Sequence, residues 1–443
     1  MNILEITKNL HSRINSSSSP EQIFILSKVI ENLNVGSVKT VATYTDLLDL
    51  YPQKGEVYFV EDEQKLYYGM GQYWYPIIDT VSLTAYSWGV NNFGYLGDGT
   101  TTDRSSPVSV VGGFTDWVQV ACGKRFHSLG IRANGTAWAW GSNDSGRLGD
   151  GTQTNRSSPV SVVGGFTDWV QVAGSSRHSL GVRANGTAWA WGGNSLGYLG
   201  NGTYSNSSSP VSVVGGFTDW VQVACGYYHS LGVRANGSAW AWGYNGSGRL
   251  GDGTTVEFRI SPVSVVGGFT DWVQVNCGSN HSLGLRANGT AWAWGDNFRG
   301  QLGDGTTTSR LSPVSVVGGF TDWVQLSGGY GHSLGLRANG TAWAWGVNNF
   351  GHLGDGTSVS KSSPVSVIGG FTDWVQVFGG GSHSLGLRAN GTAWAWGLNG
   401  SGRLGDGTTV AKSSPVSVVG GFTDWVQVSG GNYHSLGIRS QKL

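Results

Sequence analysis

Charge is scarce and balanced in this chain. Its 443 residues hold 27 Lys+Arg and 27 Asp+Glu, 12 % of the total, for a formal net charge of zero. The clustered basic excess that marks a nucleic-acid or anionic-membrane binder is lacking, so no nucleic-acid partner is expected. Cysteine is down to three residues, too few and too oddly numbered for a disulfide framework. No apolar run approaches the roughly 18 residues of a membrane span. The opening Met1-Asn2-Ile3-Leu4-Glu5 has no basic stretch leading into an apolar core, so neither a secretory signal nor membrane insertion is expected. Disorder would require few aromatics. Those are abundant, with 21 Trp, 16 Tyr and 15 Phe beside 74 Gly.

The glycines fall in a regular array. Leu-Gly-Asp/Asn-Gly-Thr begins at Leu96, Leu148, Leu199, Leu250, Leu302, Leu353 and Leu404, in steps of 51 or 52 residues. Phe-Thr-Asp-Trp and His-Ser-Leu-Gly recur in the same rhythm, the latter from His127 to His434. Such a period means a propeller, solenoid or array. Each unit reads as four short strands: Pro-Val-Ser-Val, Trp-Val-Gln-Val, His-Ser-Leu-Gly-Leu-Arg and Thr-Ala-Trp-Ala-Trp-Gly. The Ala-Asn-Gly between the last two predicts a type I′ hairpin. In Trp138-Ala139-Trp140 the tryptophans share one sheet face and Ala takes the other.

The two ends distinguish a ring from a solenoid. The array opens with a lone fourth strand, Leu83 to Gly89, and stops after a lone third strand, His434 to Arg439. Pairing them completes one blade and removes the open edges. The expected fold is all-β: a seven-bladed β-propeller of four-stranded antiparallel blades, closed by its terminal strands. It occupies residues 81–443.

Val-Gln-Val-Ala-Cys-Gly-x-x-His-Ser-Leu-Gly, the Asn-Gly hairpin and Trp-Gly-x-Asn-x-x-Gly-x-Leu-Gly-Asp-Gly resemble the regulator of chromosome condensation repeat family, from about residue 81 to the C-terminus. The resemblance implies a seven-bladed propeller. It also implies protein binding of varied kinds, including nucleotide exchange on a small GTPase and inhibition of β-lactamase. Function does not travel with the fold. Repeats held to 51 or 52 residues leave no room for an inserted exchange element, and the neutral charge fits chromatin poorly.

The first 80 residues read as a small α+β module. Residues 1–36 form a helical segment, with Ser19-Pro20-Glu21-Gln22 opening its second helix. Residues 37–80 form a small β module for attachment, with strands near 55–60, 65–68 and 73–77. The stretch from Gly55 to Gly69, followed by Gln72-Tyr73-Trp74-Tyr75-Pro76-Ile77, is similar to modules of tailed-bacteriophage structural and tail-fibre proteins.

Catalytic chemistry finds little support. Every unit contains His, Ser and Asp, but a hydrolase needs one convergent constellation, and adjacent His and Ser on a strand face opposite ways. Seven histidines around a ring cannot approach one zinc at about 2.0–2.1 Å. Asp98 and its equivalents give one carboxylate per loop, far short of a calcium shell, and read as turn formers. Cys122, Cys225 and Cys277 occupy equivalent places and read as small buried residues. No catalytic residue, metal or cofactor is expected.

Variation among the repeats carries the functional signal. The Gly-Gly-Phe-Thr-Asp-Trp and Arg-Ala-Asn-Gly turns hardly change, and alternating strand direction puts both on one rim. Three variable segments fall on the other: before the His, after Trp-Gly, and before Ser-Pro. The last holds Arg104, Arg156, Tyr204, Phe258, Arg259, Arg310, Lys361 and Lys412. The expected binding residues are Lys124, Arg125, Phe126, Arg177, Tyr227, Tyr228, Phe298, Arg299, Tyr330 and Tyr433, types enriched in interface hot spots. With the N-terminal resemblance, this gives a non-enzymatic virion protein of a phage tail or tail fibre, made in the host cytoplasm. Residues 1–80 would hold other virion proteins, and the variable rim would bind a host surface protein or glycan. A homo-oligomer is compatible. The alternative is a soluble protein-binding propeller that inhibits or regulates a bacterial protein.

Overall fold

The computed structural model describes residues 81–442 throughout, and before them four strands, Val38–Val41, Val57–Val60, Lys65–Gly69 and Trp74–Ile78. The chain divides into two compact units, Met1–Ser82 with Ser440–Leu443, and Leu83–Arg439. In the first unit the four strands form one sheet in chain order, the first pair parallel and the others antiparallel. The helices expected within residues 1–36 lie outside the described residues, as do the side chains of residues 37–80.

The second unit holds seven four-stranded antiparallel sheets. A blade runs from the channel outward as Trp117–Cys122, His127–Arg132, Ala137–Gly141 and Arg156–Ser161. This corrects the phase expected from the sequence. The Pro-Val-Ser segment is the outer strand of the preceding blade, with Val160 opposite Ala139, not the first strand of the blade that follows. Proline dictates that place: it has no N–H to donate, so it suits an edge strand. The closing blade therefore takes two strands from each end, in the order Trp425–Gly430, His434–Lys442, Val81–Gly89 and Arg104–Ser109. The terminal strands do pair.

Packing follows the large-and-small alternation. Trp169, Val172 and Trp191 of one blade bury themselves against Leu129, Ile131, Ala137 and Ala139 of the blade before. The second Trp of each of the six Trp-Ala-Trp segments is fully buried, as is Trp88 of Tyr86-Ser87-Trp88 in the closing blade, each covering roughly 150–250 Å². Gly130 serves this packing directly: a Cβ there would lie 2.6 Å from the Trp117 ring. Cys122, Cys225 and Cys277 are free and buried.

The hairpin also differs from expectation. Only Gly135 takes positive φ, at 74°; Asn134 does not. Gly135 N–H closes a turn on Arg132 C=O, and Arg132 N–H bonds Thr136 C=O, the pattern of a type I turn with a left-handed glycine after it. Asn134 Oδ1 instead accepts from the Thr136 N–H and hydroxyl. Gly135 also passes the Thr167 carbonyl so closely that any Cβ would overlap it.

Two closed belts of hydrogen bonds tie the blades together. Inner strands have no further strand to pair with, and the Gln of each Trp-Val-Gln-Val answers this. Its Oε1 accepts the Val172, Val223, Val275, Leu326, Val377, Val428 or Val120 N–H of the next blade at 2.8–2.9 Å. In the second belt each His Nε2 meets the Ser Oγ of the next blade at 2.8–3.0 Å, from His127 with Ser179 round to His434 with Ser128.

Candidate binding surface

The near-invariant turns do share a rim, where each Ala-Asn-Gly hairpin bonds the next Phe-Thr-Asp turn through Trp169 N–H to Gly135 C=O and its equivalents. Its arginines are consumed internally. Arg132 pairs with Asp116 at 2.8 Å and lies 4.2 Å from the centre of the Phe114 ring. The arrangement repeats in every blade to Arg439 and Asp424. At the channel this rim exposes one valine per blade, among them Val324, 50 % exposed.

On the opposite rim the loops between first and second strands crowd around the channel. Their backbones are knitted by Tyr227 N–H to Ser279 C=O, Ser279 N–H to Gly329 C=O and Gly381 N–H to Gly431 C=O. Arg125, Tyr227, Tyr330 and Tyr433 line one cleft there of about 270 Å³ with Asn432 and Arg403. Rings and guanidinium groups alternate. Arg125 stands 5.1 Å from the Phe126 ring and 5.2 Å from that of Tyr227. Phe126 stacks on Tyr433 at 6.0 Å, and Tyr227 meets Tyr330 edge-on at 6.1 Å. Tyr228 lies against Tyr227 and Arg177.

The remaining expected residues sit elsewhere. Phe298 and Arg299 are exposed on a neighbouring loop, outside the cleft. Lys124 turns into the channel, and its ammonium donates to the Cys277 and Gly328 carbonyls at 2.6 and 2.7 Å. Burial pulls its pKa down to about 8. A length signal marks this residue: Trp117 to His127 spans ten positions, against nine in the other six units. The inserted residue breaks the sevenfold pattern and carries a cation across the channel.

Four arginines of the segment before Ser-Pro are engaged within their own loops. Arg104, Arg156, Arg259 and Arg310 pair with Asp98, Asp150, Asp252 and Asp304 of their own Gly-Asp-Gly-Thr loops at 2.7–2.9 Å. Burial works to raise the Asp98 pKa, but hydrogen bonds from Thr100, Arg104 and Asn91 outweigh it and hold the carboxyl below its usual range. Where the acid becomes Asn201, the base becomes Ser207. Variation here is partner-matched.

The histidines that raised the question of hydrolysis are sealed inside the blades. Each Ser Oγ donates its one proton to a carbonyl, as Ser128 does to Tyr95 and Ser179 to Arg147, so it can only accept from His Nε2–H. The neutral tautomer is thereby fixed. Nδ1 meets no carboxylate; it lacks any partner in six rings and takes a bond from Ser175 Oγ in His178.

Comparison with known proteins agrees with this architecture. The RCC1-like domain model matches residues 205–442, and the regulator of chromosome condensation (RCC1) repeat model matches 84–129 and 134–182. The ultraviolet-B receptor UVR8 of Arabidopsis thaliana is 32 % identical over 339 residues, which cover 74 % of this chain and 76 % of that protein. The mitochondrial RCC1 domain-containing protein RUG3 of the same plant is 28 % identical over 77 % of this chain and 83 % of its own length. The human E3 ubiquitin-protein ligase HERC2 is 29 % identical over 77 % of this chain, which spans 7 % of that much longer protein. Yeast RCC1 (Prp20), solved bound to Kap60, shares the fold with a TM-score of 0.73 at 21 % identity, over 83 % of this chain and 90 % of that one. These relatives are plant, human and yeast proteins named for reception, ligation and RCC1 repeats. They overturn the expectation of a phage tail or tail-fibre component in the virion, with its host-attachment role. With its family model matched over more than half the chain, this protein is a member of the RCC1-like family.

Proposed function

We propose that the chain is a protein-binding propeller that regulates another protein through the channel mouth on its variable rim. The cleft of alternating tyrosine and arginine, lined by Arg125, Tyr227, Tyr330 and Tyr433, carries this reading. Such residues concentrate binding energy because large rings bury much surface at little entropic cost and guanidinium groups add directional donors. Pre-ordering by the surrounding ring contacts lowers the cost of association further. Yeast RCC1, solved in complex with Kap60, is a relative in fold that binds a protein. A catalytic role is not proposed, since the one recurring His and Ser pairing is sealed and committed to holding the blades together.

Site-directed photocrosslinking tests the reading. A photoreactive phenylalanine replaces Tyr330 on the variable rim or Val324 on the other rim of the same blade. In extract of the cell that makes the protein, the first should yield a discrete protein adduct and the second should not. Adducts only from position 324 would overturn it.

A further inference from the structure

The distribution of unmatched arginines points to a ligand chemistry. Seven arginines of the constant rim and four of the Gly-Asp-Gly-Thr loops are paired with aspartates, and Arg147 meets Asp144 at 3.4 Å. Among the described residues, Arg125, Arg177, Arg249, Arg299 and Arg403 have no carboxylate partner, and all five sit in segments of the variable rim. The same rim also carries Asp296 and Asp103, which act on Arg249 and Arg403 from beyond ion-pair distance, so the imbalance of charge is local to the cleft.

Two of these arginines line the cleft, and no carboxylate does. Arg403 is only 6 % exposed, and its Nη1 donates to the Asn432 carbonyl at 2.8 Å. Its Nε, like that of Arg125, is buried without a partner. A desolvated guanidinium N–H left unpaired is costly, so both groups are prepared for an acceptor. Tyr227 flanks Arg125, and Tyr433 lies 5.7 Å from the Arg403 guanidinium. These rings hold the flat groups without using their donor edges.

We infer that the cleft receives a carboxylate side chain from an acidic segment of a partner protein. A carboxylate matches the guanidinium fork in two parallel bonds, and the surrounding rings bury the aliphatic stem that carries it. A protein segment, rather than a free small anion, fits the exposed aromatic wall that Tyr330, 53 % exposed, gives the cleft beside Tyr227. The inference rests on the protein-binding reading above and names what that site recognises.

Calorimetry on the full chain at low salt tests it, with capped hexaglutamate, hexaglutamine and inorganic phosphate as probes. Hexaglutamate should bind, hexaglutamine should not, and Arg125→Gln or Arg403→Gln should each weaken binding roughly tenfold or more. Arg299→Gln, on the same rim but outside the cleft, should change it by less than about threefold. Arg403 is nearly buried, so Arg125→Gln, with an unchanged melting temperature, decides the matter if Arg403→Gln fails to fold. Absence of hexaglutamate binding overturns the inference. So does equal weakening by Arg299→Gln, or phosphate binding as tightly with the same arginine dependence. A partner that depends on Tyr330 yet ignores Arg125 and Arg403 would also sink it, while leaving the protein-binding reading in place.

Discussion

His434 and Ser128 stand 306 residues apart in sequence, and their side chains meet at 2.8 Å. This bond closes a belt that passes once through every blade. Ser128 gives its proton to the Tyr95 carbonyl at 2.8 Å, so His434 must donate from Nε2, and burial, which lowers its pKa to about 3, keeps the ring neutral. One contact thus joins the two ends of the propeller and fixes a tautomer.

Removing that hydroxyl strands two buried groups, the His434 Nε2–H and the Tyr95 carbonyl. Ser128→Ala should lower unfolding free energy by about 1–3 kcal/mol, and Ser333→Ala, within the chain, by a similar amount. Urea unfolding measures both. A negligible loss at Ser128 would mean the belt is not closed there.

The same histidines make stability depend on pH. Burial lowers all seven pKa values, to about 3 for His178, His281 and His434. Their unfolded values stay near 6.5, so between those limits the unfolded chain binds more protons. Stability should be full above about pH 6.5 and erode as pH falls towards the folded values. Each site then loses about 1.4 kcal/mol per pH unit. Denaturation at pH 7, 6 and 5 should show a steep decline, and a flat profile would contradict it.

The matched loss of acid and base at Asn201 and Ser207 can be reversed. Asn201→Asp with Ser207→Arg should restore the pair seen at Asp150 and Arg156. A double-mutant cycle should then give a favourable coupling of about 0.5–1 kcal/mol. Zero coupling would mean the two positions vary independently.

Gly130 sits where the Trp117 ring passes. Gly130→Ala should overpack that contact and cost about 1–3 kcal/mol, read as a lower melting temperature. Gly113, beside which a Cβ meets nothing within 4 Å but whose φ is 68°, should tolerate Asn far better, because Asn visits that region with little strain.

The sevenfold period and the stranded terminal segments made the ring and its closure legible in the sequence. What escaped was relational. Reading His127 and Ser128 within one blade shows them facing apart; only the ring brings His127 to Ser179 of the next blade. The blade phase escaped because repeat boundaries in a sequence carry no origin, although Pro107 in an edge strand is a usable marker. Arg104 resembled Arg125 by type, and the Asp98 six residues before it was the overlooked reason for it. Lys124 was legible as variable, but its role across the channel depends on carbonyls of Cys277 and Gly328 far along the chain.

Tyr330 and Val324 lie in one blade, on opposite rims, and are 53 % and 50 % exposed, so replacing either leaves the core intact. The decisive measurement is the affinity of a purified, crosslink-identified partner for Tyr330→Ser and Val324→Ser, each checked for an unchanged melting temperature. Binding through the variable rim requires a loss of roughly tenfold or more for Tyr330→Ser and an affinity near that of the unaltered chain for Val324→Ser. Unchanged binding by Tyr330→Ser, with the loss falling on Val324→Ser, would contradict it.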